Sequence, residues 1–284
     1  MTLTLLRKMF IAATHKVNFG CCAVIATAFA AMQLLSSVMA SLLVSLVFLH
    51  CLGQDYNEQA LQKAIAYIEA RGERLYPMMV PTLYHLRREY RLQVNTTAWE
   101  LEIRKRNKQL RNPFLRELDP ETQILRGDIS RLSGIDRLTA IAMHCDRFGL
   151  PKNYLADLRR LASQGNYALT HATLALLLSG WRNCLRNDET FQSELQFQHR
   201  ELSSLSRRIA PQSDLGVETM LMLLLSGKNL KPPARFDTAL LAQLLDAQWP
   251  DGSWNGDDHT TVLAMWVILE ARNQGITGKA AKNE

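Results

Sequence analysis

Two histidines and a glutamate, His171, Glu218 and His259, are the residues whose types and placement could do chemistry in this chain. A weak internal repeat links them. The run Leu174-Ala175-Leu176-Leu177-Leu178-Ser179-Gly180 returns as Leu221-Met222-Leu223-Leu224-Leu225-Ser226-Gly227 at a spacing of 47 residues. That offset sets His171 against Glu218. A second echo, His171-Ala172-Thr173 in His259-Thr260-Thr261, sets His171 against His259. A period of roughly 40–50 residues suits one helical hairpin. If the three helices are inner neighbours, their N-terminal ends surround one mouth, and two imidazoles and a carboxylate converge there. Such a set can bind a ligand through a divalent metal, or act as acid and base around a cavity. Helix N-termini at the same place would favour an anionic group such as a phosphate. The plainer alternative is that each side chain caps or bonds within its own hairpin, as most polar groups find local partners. His144, before Cys145-Asp146, reads as a helix-end residue. Nucleophile and phosphate-loop patterns are missing: the chain has no Gly-x-Ser-x-Gly, no phosphate-binding glycine loop and no His-Glu-x-x-His. No cofactor is named by the sequence.

The elements that must position these residues are helices. From Asp55 onward no run of period-two alternation bounded by turns occurs, so strands are not expected. Helical periodicity predicts helices over 56–71, from beyond Pro81 to about Leu92, and over 98–110, with Thr97 and Glu100 as a capping box. Asn112-Pro113 and Asp119-Pro120 are breaks, the second reading as an N-cap and first position of a short helix. Further helices are expected over 135–148, around Leu155, Leu158 and Leu161, and over 170–184, 189–207, 215–226, 236–247 and 259–272. That makes about eleven, alternating loosely between very apolar and amphipathic, which suggests an inner and an outer layer.

The joint between the last two is Gln248-Trp249-Pro250-Asp251-Gly252-Ser253-Trp254. Pro250 stops the preceding helix, Asp251-Gly252 is a turn dipeptide, and Trp254 offers a large flat surface with one N–H donor. Gln248 offers an amide that can bond the exposed end of a neighbouring helix. This stretch, over roughly 236–272, resembles the QW motif of the terpenoid cyclase and protein prenyltransferase superfamily. The resemblance implies an α/α toroid in which Gln248, Gly252 and Trp254 are structural. It also invites a comparison of Asn255-Gly256-Asp257-Asp258 with that superfamily's proton-donating acidic motif, which would make Asp257 and Asp258 candidate catalytic acids. Asn255 stands where the motif has its first Asp, and the two aspartates read equally as an N-cap and a first-turn charge. His259 is similar to the prenyltransferases' zinc-binding His, but no Asp-x-Cys pair accompanies it.

Ahead of this domain, Gly20 through Gly53 contain no Lys, Arg, Asp or Glu. As helix, 34 residues would span about 50 Å, more than the roughly 30 Å hydrocarbon core. Residues 20–53 are therefore expected to be a transmembrane anchor or uncleaved signal, with a signal peptide cut after Val38-Met39-Ala40 as the rival reading. Arg7, Lys8 and Lys16 precede them, and the positive-inside rule places 1–19 in the cytoplasm and the rest outside. The net charge is +6, and 54–284 hold 30 basic against 27 acidic residues, too mild a balance for a nucleic-acid partner. The densest basic run, 104–111, reads as a solvated helix face, with anionic lipid headgroups as the alternative partner. Cys145 and Cys184 could pair in an exported domain or stay as two buried thiols. The expected architecture is thus an all-α, toroid-like array of helical hairpins over 54–274, a closed ring or an open one, with 275–284 a frayed tail. Its expected function is to bind a peptide, glycan or lipid-linked ligand in the mouth of a membrane-tethered domain. The alternative is a toroid-class enzyme acting on a polyprenoid or cleaving a glycan.

Overall fold

Three stretches, 166–181, 214–229 and 258–273, are apolar on nearly every side, and a helix of that kind is stable only when other elements surround it. They form the innermost helices of the computed structural model, which describes residues 56–185 and 189–277. Twelve α-helices, two short 3-10 helices (Gly72–Arg74 and Pro113–Leu115) and no strands occur among the described residues. The α-helices are α1 (56–71), α2 (Met79–Tyr90), α3 (Thr97–Leu110), α4 (Arg126–Ser130), α5 (Gly134–Met143), α6 (Cys145–Phe148), α7 (Tyr154–Ala162), α8 (Asn166–Trp181), α9 (Glu189–Ser206), α10 (Asp214–Asn229), α11 (Thr238–Asp246) and α12 (Asp258–Asn273). None is long and apolar enough to cross a membrane. The 1–19 and 20–53 segments lie outside the described residues.

The described residues from Asn57 onward form one unit. Within it α5 packs on α8, α8 on α10, α10 on α12, and α12 on α2. Amphipathic helices join the members of this series: α7 lies between α5 and α8, α9 between α8 and α10, α11 between α10 and α12. The inner helices run parallel. Tyr167 near the start of α8 bonds Asp214 at the start of α10, and His259 at the start of α12 bonds the same aspartate. At the other end Lys228 of α10 pairs with Glu270 of α12, which also accepts from Tyr90 at the end of α2. Glu117 in turn takes both Arg88 of α2 and Arg182 beyond α8, while Arg116 pairs with Asp146 and donates to the Met143 carbonyl. The 113–118 segment therefore stands between α2 and the C-terminal ends of α5 and α8.

The glycine that ends α8 has a packing cause: a Cβ on Gly180 would stand 3.0 Å from the Phe191 ring of α9, whereas one on Gly227 at the end of α10 would make only ordinary contact, 3.4 Å from His199. The joint after α11 is also closely packed. Trp254 is fully buried and its Nε1–H donates to the Leu244 carbonyl at 2.7 Å. Gln248 donates to the Gly252 and Ala60 carbonyls at 2.9 and 2.8 Å. It thus reaches the flank of α1, rather than the helix end expected from sequence. Ile276 closes α12 by bonding the Ala271 carbonyl, with Gly275 at φ +70°.

Several local expectations change: α2 starts at Met79, ahead of Pro81, and α8 runs Asn166–Trp181 rather than 170–184. Thr96, not Thr97, is the N-cap of α3, and Glu100 turns from capping to Arg87 at 2.7 Å. Asp119 starts no helix, because its carboxylate takes Asn107 and Thr122 instead. The run 135–148 breaks at His144, whose buried ring bonds the Pro113 carbonyl at 2.9 Å, giving α5 and α6.

Cys145 and Cys184 are joined in a disulfide across 39 residues, with Cα atoms 6.2 Å apart. A closed loop of that length stabilises by about 4 kcal/mol in the chain-entropy account. The Cys145→Ser, Cys184→Ser double variant is expected to lose about 2–4 kcal/mol. A thermal melt of the parent with reductant should fall to the variant's value, and unchanged melts would contradict this.

Candidate functional site

The parallel inner helices bring the starts of α8, α10 and α12 to one place, and His171, Glu218 and His259 meet there. Two of these starts are fixed by side-chain caps. Ser213 caps α10 by accepting the Gly216 N–H at 3.1 Å. Gly216 has to be glycine, since a Cβ would lie 2.1 Å from the Ala210 carbonyl oxygen. Asp257 caps α12 by accepting the Thr260 N–H at 2.7 Å.

The centre of the group is Asp214, which sequence reasoning missed. Its Oδ1 accepts from His259 Nδ1 at 2.6 Å, with the Thr260 hydroxyl at 3.0 Å, and its Oδ2 accepts the Tyr167 hydroxyl at 2.9 Å. A carboxylate on Nδ1 fixes the imidazole's tautomer and orientation and leaves Nε2 with its lone pair. His259 Nε2 stands 3.8 Å from Glu218 Oε1, and His171 Nε2 stands 3.6 Å from the same oxygen. The other oxygen of Glu218, a buried residue, accepts the Thr170 hydroxyl at 2.6 Å. Asp214, Glu218 and His259 each offer a ligand atom within 4.8 Å of the others. In a tetrahedral site with bonds of about 2.0–2.2 Å, ligand atoms stand roughly 3.3–3.6 Å apart. The two nitrogen–oxygen separations lie at and just beyond that range, and His171 is not in the set whose ligand atoms all fall within 4.8 Å of one another.

Charge coupling follows the hydrogen bonds. The bond to Asp214 raises the His259 pKa, and the reciprocal bond holds Asp214 below the ordinary carboxylate value. Glu218 raises His171. Burial, helped by the bond to Asp214, pushes the Tyr167 hydroxyl up to about 12. A histidine with a raised folded pKa stabilises below its unfolded value and loses that contribution as pH rises through the folded one; a carboxylate with a lowered pKa does the reverse. The His259–Asp214 contribution is therefore complete between the two ordinary values, 3.8 and 6.5, and is lost on either side. His259→Gln is expected to lower the melting temperature more at about pH 5.5 than at about pH 9, measured with chelator present. An equal drop at both would contradict the coupling.

Asp257 and Asp258 stand outside this group. Asp257 caps α12, and the buried Asp258 pairs with Arg71 at 2.8 Å and accepts the Tyr76 N–H at 3.1 Å and the Tyr67 hydroxyl at 3.3 Å. Asn255, at φ +57°, donates to the Gln212 carbonyl at 2.8 Å. The whole 255–258 stretch is thus engaged in holding the start of α12. Around the same end three aromatic side chains are exposed: Tyr76, Tyr167 and Trp249, whose ring packs over Gly256.

The arrangement can do two things chemically. Two imidazole nitrogens and a carboxylate oxygen can coordinate a borderline cation such as Zn²⁺, with Asp214 orienting a ligand from behind. The oriented Nε2 of His259 can also take a proton from a bound group. Comparison of the chain with protein-family models, with curated proteins and with solved structures finds no match.

Proposed function

We propose that this chain is a membrane-tethered, extracytoplasmic domain whose helical hairpins make a toroid-like ring. The ring's mouth, at the starts of α8, α10 and α12, binds a polar ligand through a divalent cation. The observation that carries the reading is the convergence of His171 Nε2 and His259 Nε2 on one Glu218 oxygen, with Asp214 behind His259. The ring is supported by the neighbour series α5, α8, α10, α12, α2 and by Glu117, which links α2 back to the end of α8. The tether is supported by the uncharged stretch 20–53, and an oxidising compartment by the Cys145–Cys184 bond.

Exposed rings at Tyr76, Tyr167 and Trp249 offer flat faces beside carboxylates that accept hydroxyls. That chemistry suits a glycan better than a polyprenoid chain, which needs a deep apolar cavity. The test of the cation is zinc content and zinc affinity of the full chain, compared with His171→Ala and His259→Ala. Zinc held by the parent and lost by both supports the reading. Folded protein that takes up no zinc in any form would end it.

One observation favours an enzyme as the second reading. The Tyr167–Asp214–His259 chain presents an imidazole nitrogen oriented as a general base. Under that reading Asp214→Asn abolishes turnover of a glycan substrate while leaving its binding intact.

A further inference from the structure

A second concavity lies on a different face. It holds about 520 Å³ and is bounded by His199 and Ser203 of α9, the 206–211 turn, Leu223 of α10, and residues 235–243. That volume is in the range of small-molecule sites, roughly 300–1,000 Å³. Its lining is mixed: Leu223 is buried and Ile209, Phe236 and Leu240 are partly buried against the core, while His199, Ser203, Ser206 and Gln243 add polar groups. Its rim carries Arg207 and Arg235, both exposed. Among the described residues neither guanidinium has an ion-pair or hydrogen-bond partner. The acid at the rim, Asp237, already accepts the Ala239 N–H as the cap of α11. Two positive charges beside a partly apolar lining, against one engaged carboxylate, make a site that is short of negative charge.

His199 adds a polar handle. The Ser226 hydroxyl donates to the Met222 carbonyl at 2.6 Å, so it accepts from His199 Nδ1 at 2.8 Å. That bond fixes the tautomer and leaves Nε2 as an acceptor. Burial lowers the His199 pKa and keeps the ring neutral near pH 7.

We propose that this groove binds an amphiphile bearing a phosphate monoester, with the phosphate on Arg207 and Arg235 and the apolar body over Ile209, Phe236 and Leu240. A phosphate monoester carries about −1.5 to −2 charges at pH 7, which matches two guanidinium forks better than a single carboxylate does. Exposed guanidiniums beside the partly buried Ile209, Phe236 and Leu240 fit a ligand with a charged head and an apolar tail. The groove shares no residue with the mouth at α8, α10 and α12, so the two can fail separately.

The test is calorimetric titration of the full chain in phosphatidylcholine nanodiscs with hexyl phosphate, inorganic phosphate and hexanol. Hexyl phosphate should bind saturably and more tightly than either half-probe. The Arg207→Gln, Arg235→Gln variant should bind it at least about tenfold more weakly, as expected for losing charge-assisted bonds, with an unchanged melt because both side chains are exposed. His171→Ala should bind it as the parent does. Inorganic phosphate binding as tightly as hexyl phosphate would overturn the amphiphile and assign the site to free phosphate. Hexanol binding equally, or undiminished hexyl phosphate binding in the double arginine variant, would overturn the anion site altogether.

Discussion

Gly252→Ala is expected to cost roughly 3–5 kcal/mol, a sum of positive-φ strain and overpacking. The residue sits at φ +93°, and a Cβ there would lie 2.2 Å from the Lys63 carbonyl oxygen and 2.5 Å from its carbon. Backbone cannot swing aside as a long side chain can, so α1 must lift from the joint between α11 and α12. Trp254→Ala is expected to cost about 3–5 kcal/mol by a separate route, the cavity left by a fully buried indole. Gly165→Ala separates the two terms for Gly252, since Gly165 also has a positive φ, +72°, but nothing within 4 Å of its Cβ position. Denaturant unfolding of the three variants in one detergent should rank Gly165→Ala well below the other two. A Gly252→Ala cost equal to that of Gly165→Ala would show that the joint does not clamp α1.

Much of this fold is legible in the sequence because its signals are local. Pro250 and Asp251-Gly252 specify a turn whatever surrounds them, and the apolar character of 174–180 and 221–227 marks buried helices. The 47-residue offset also carries positional information. It pairs His171 with Glu218, and the structure sets those residues at matching depths of adjacent parallel helices. The same offset pairs Tyr167 with Asp214, which bond at 2.9 Å. That pair was not legible, because it lies seven residues ahead of the matched run, against three for His171 and Glu218, and no second echo marks it as His259 marks His171. The remaining misses come from partners distant in sequence. No Gly or Pro marks the break at His144, which depends on a carbonyl 31 residues away. Glu100 leaves its capping role because Arg87 of another helix competes for it. Arg71 could not be matched to Asp258 by any local rule, since 187 residues separate them.

Loss of zinc is the second large effect expected. His259→Ala removes one of the three proposed ligands and strands Asp214, so affinity should fall by at least about 100-fold, beyond the 10–100-fold typical of losing only an outer hydrogen bond. Asp214→Asn keeps all three ligand atoms and removes only the negative acceptor behind Nδ1. Its expected loss is therefore the smaller, about 10–100-fold. Glu218→Gln should resemble His259→Ala, because a neutral amide oxygen is a far weaker ligand than a carboxylate in this position, where Thr170 holds the other oxygen at 2.6 Å. His199→Ala, outside the mouth, should leave zinc binding unchanged.

The most direct measurement is a competitive zinc titration of the full-length parent and of Asp214→Asn, His259→Ala and His199→Ala, all in the same detergent near neutral pH. One zinc per chain is predicted, with affinity unchanged in His199→Ala, weaker in Asp214→Asn and weakest in His259→Ala. Equal affinity in all four proteins, or no saturable zinc binding by the folded parent, would contradict the assignment of the mouth as a metal site.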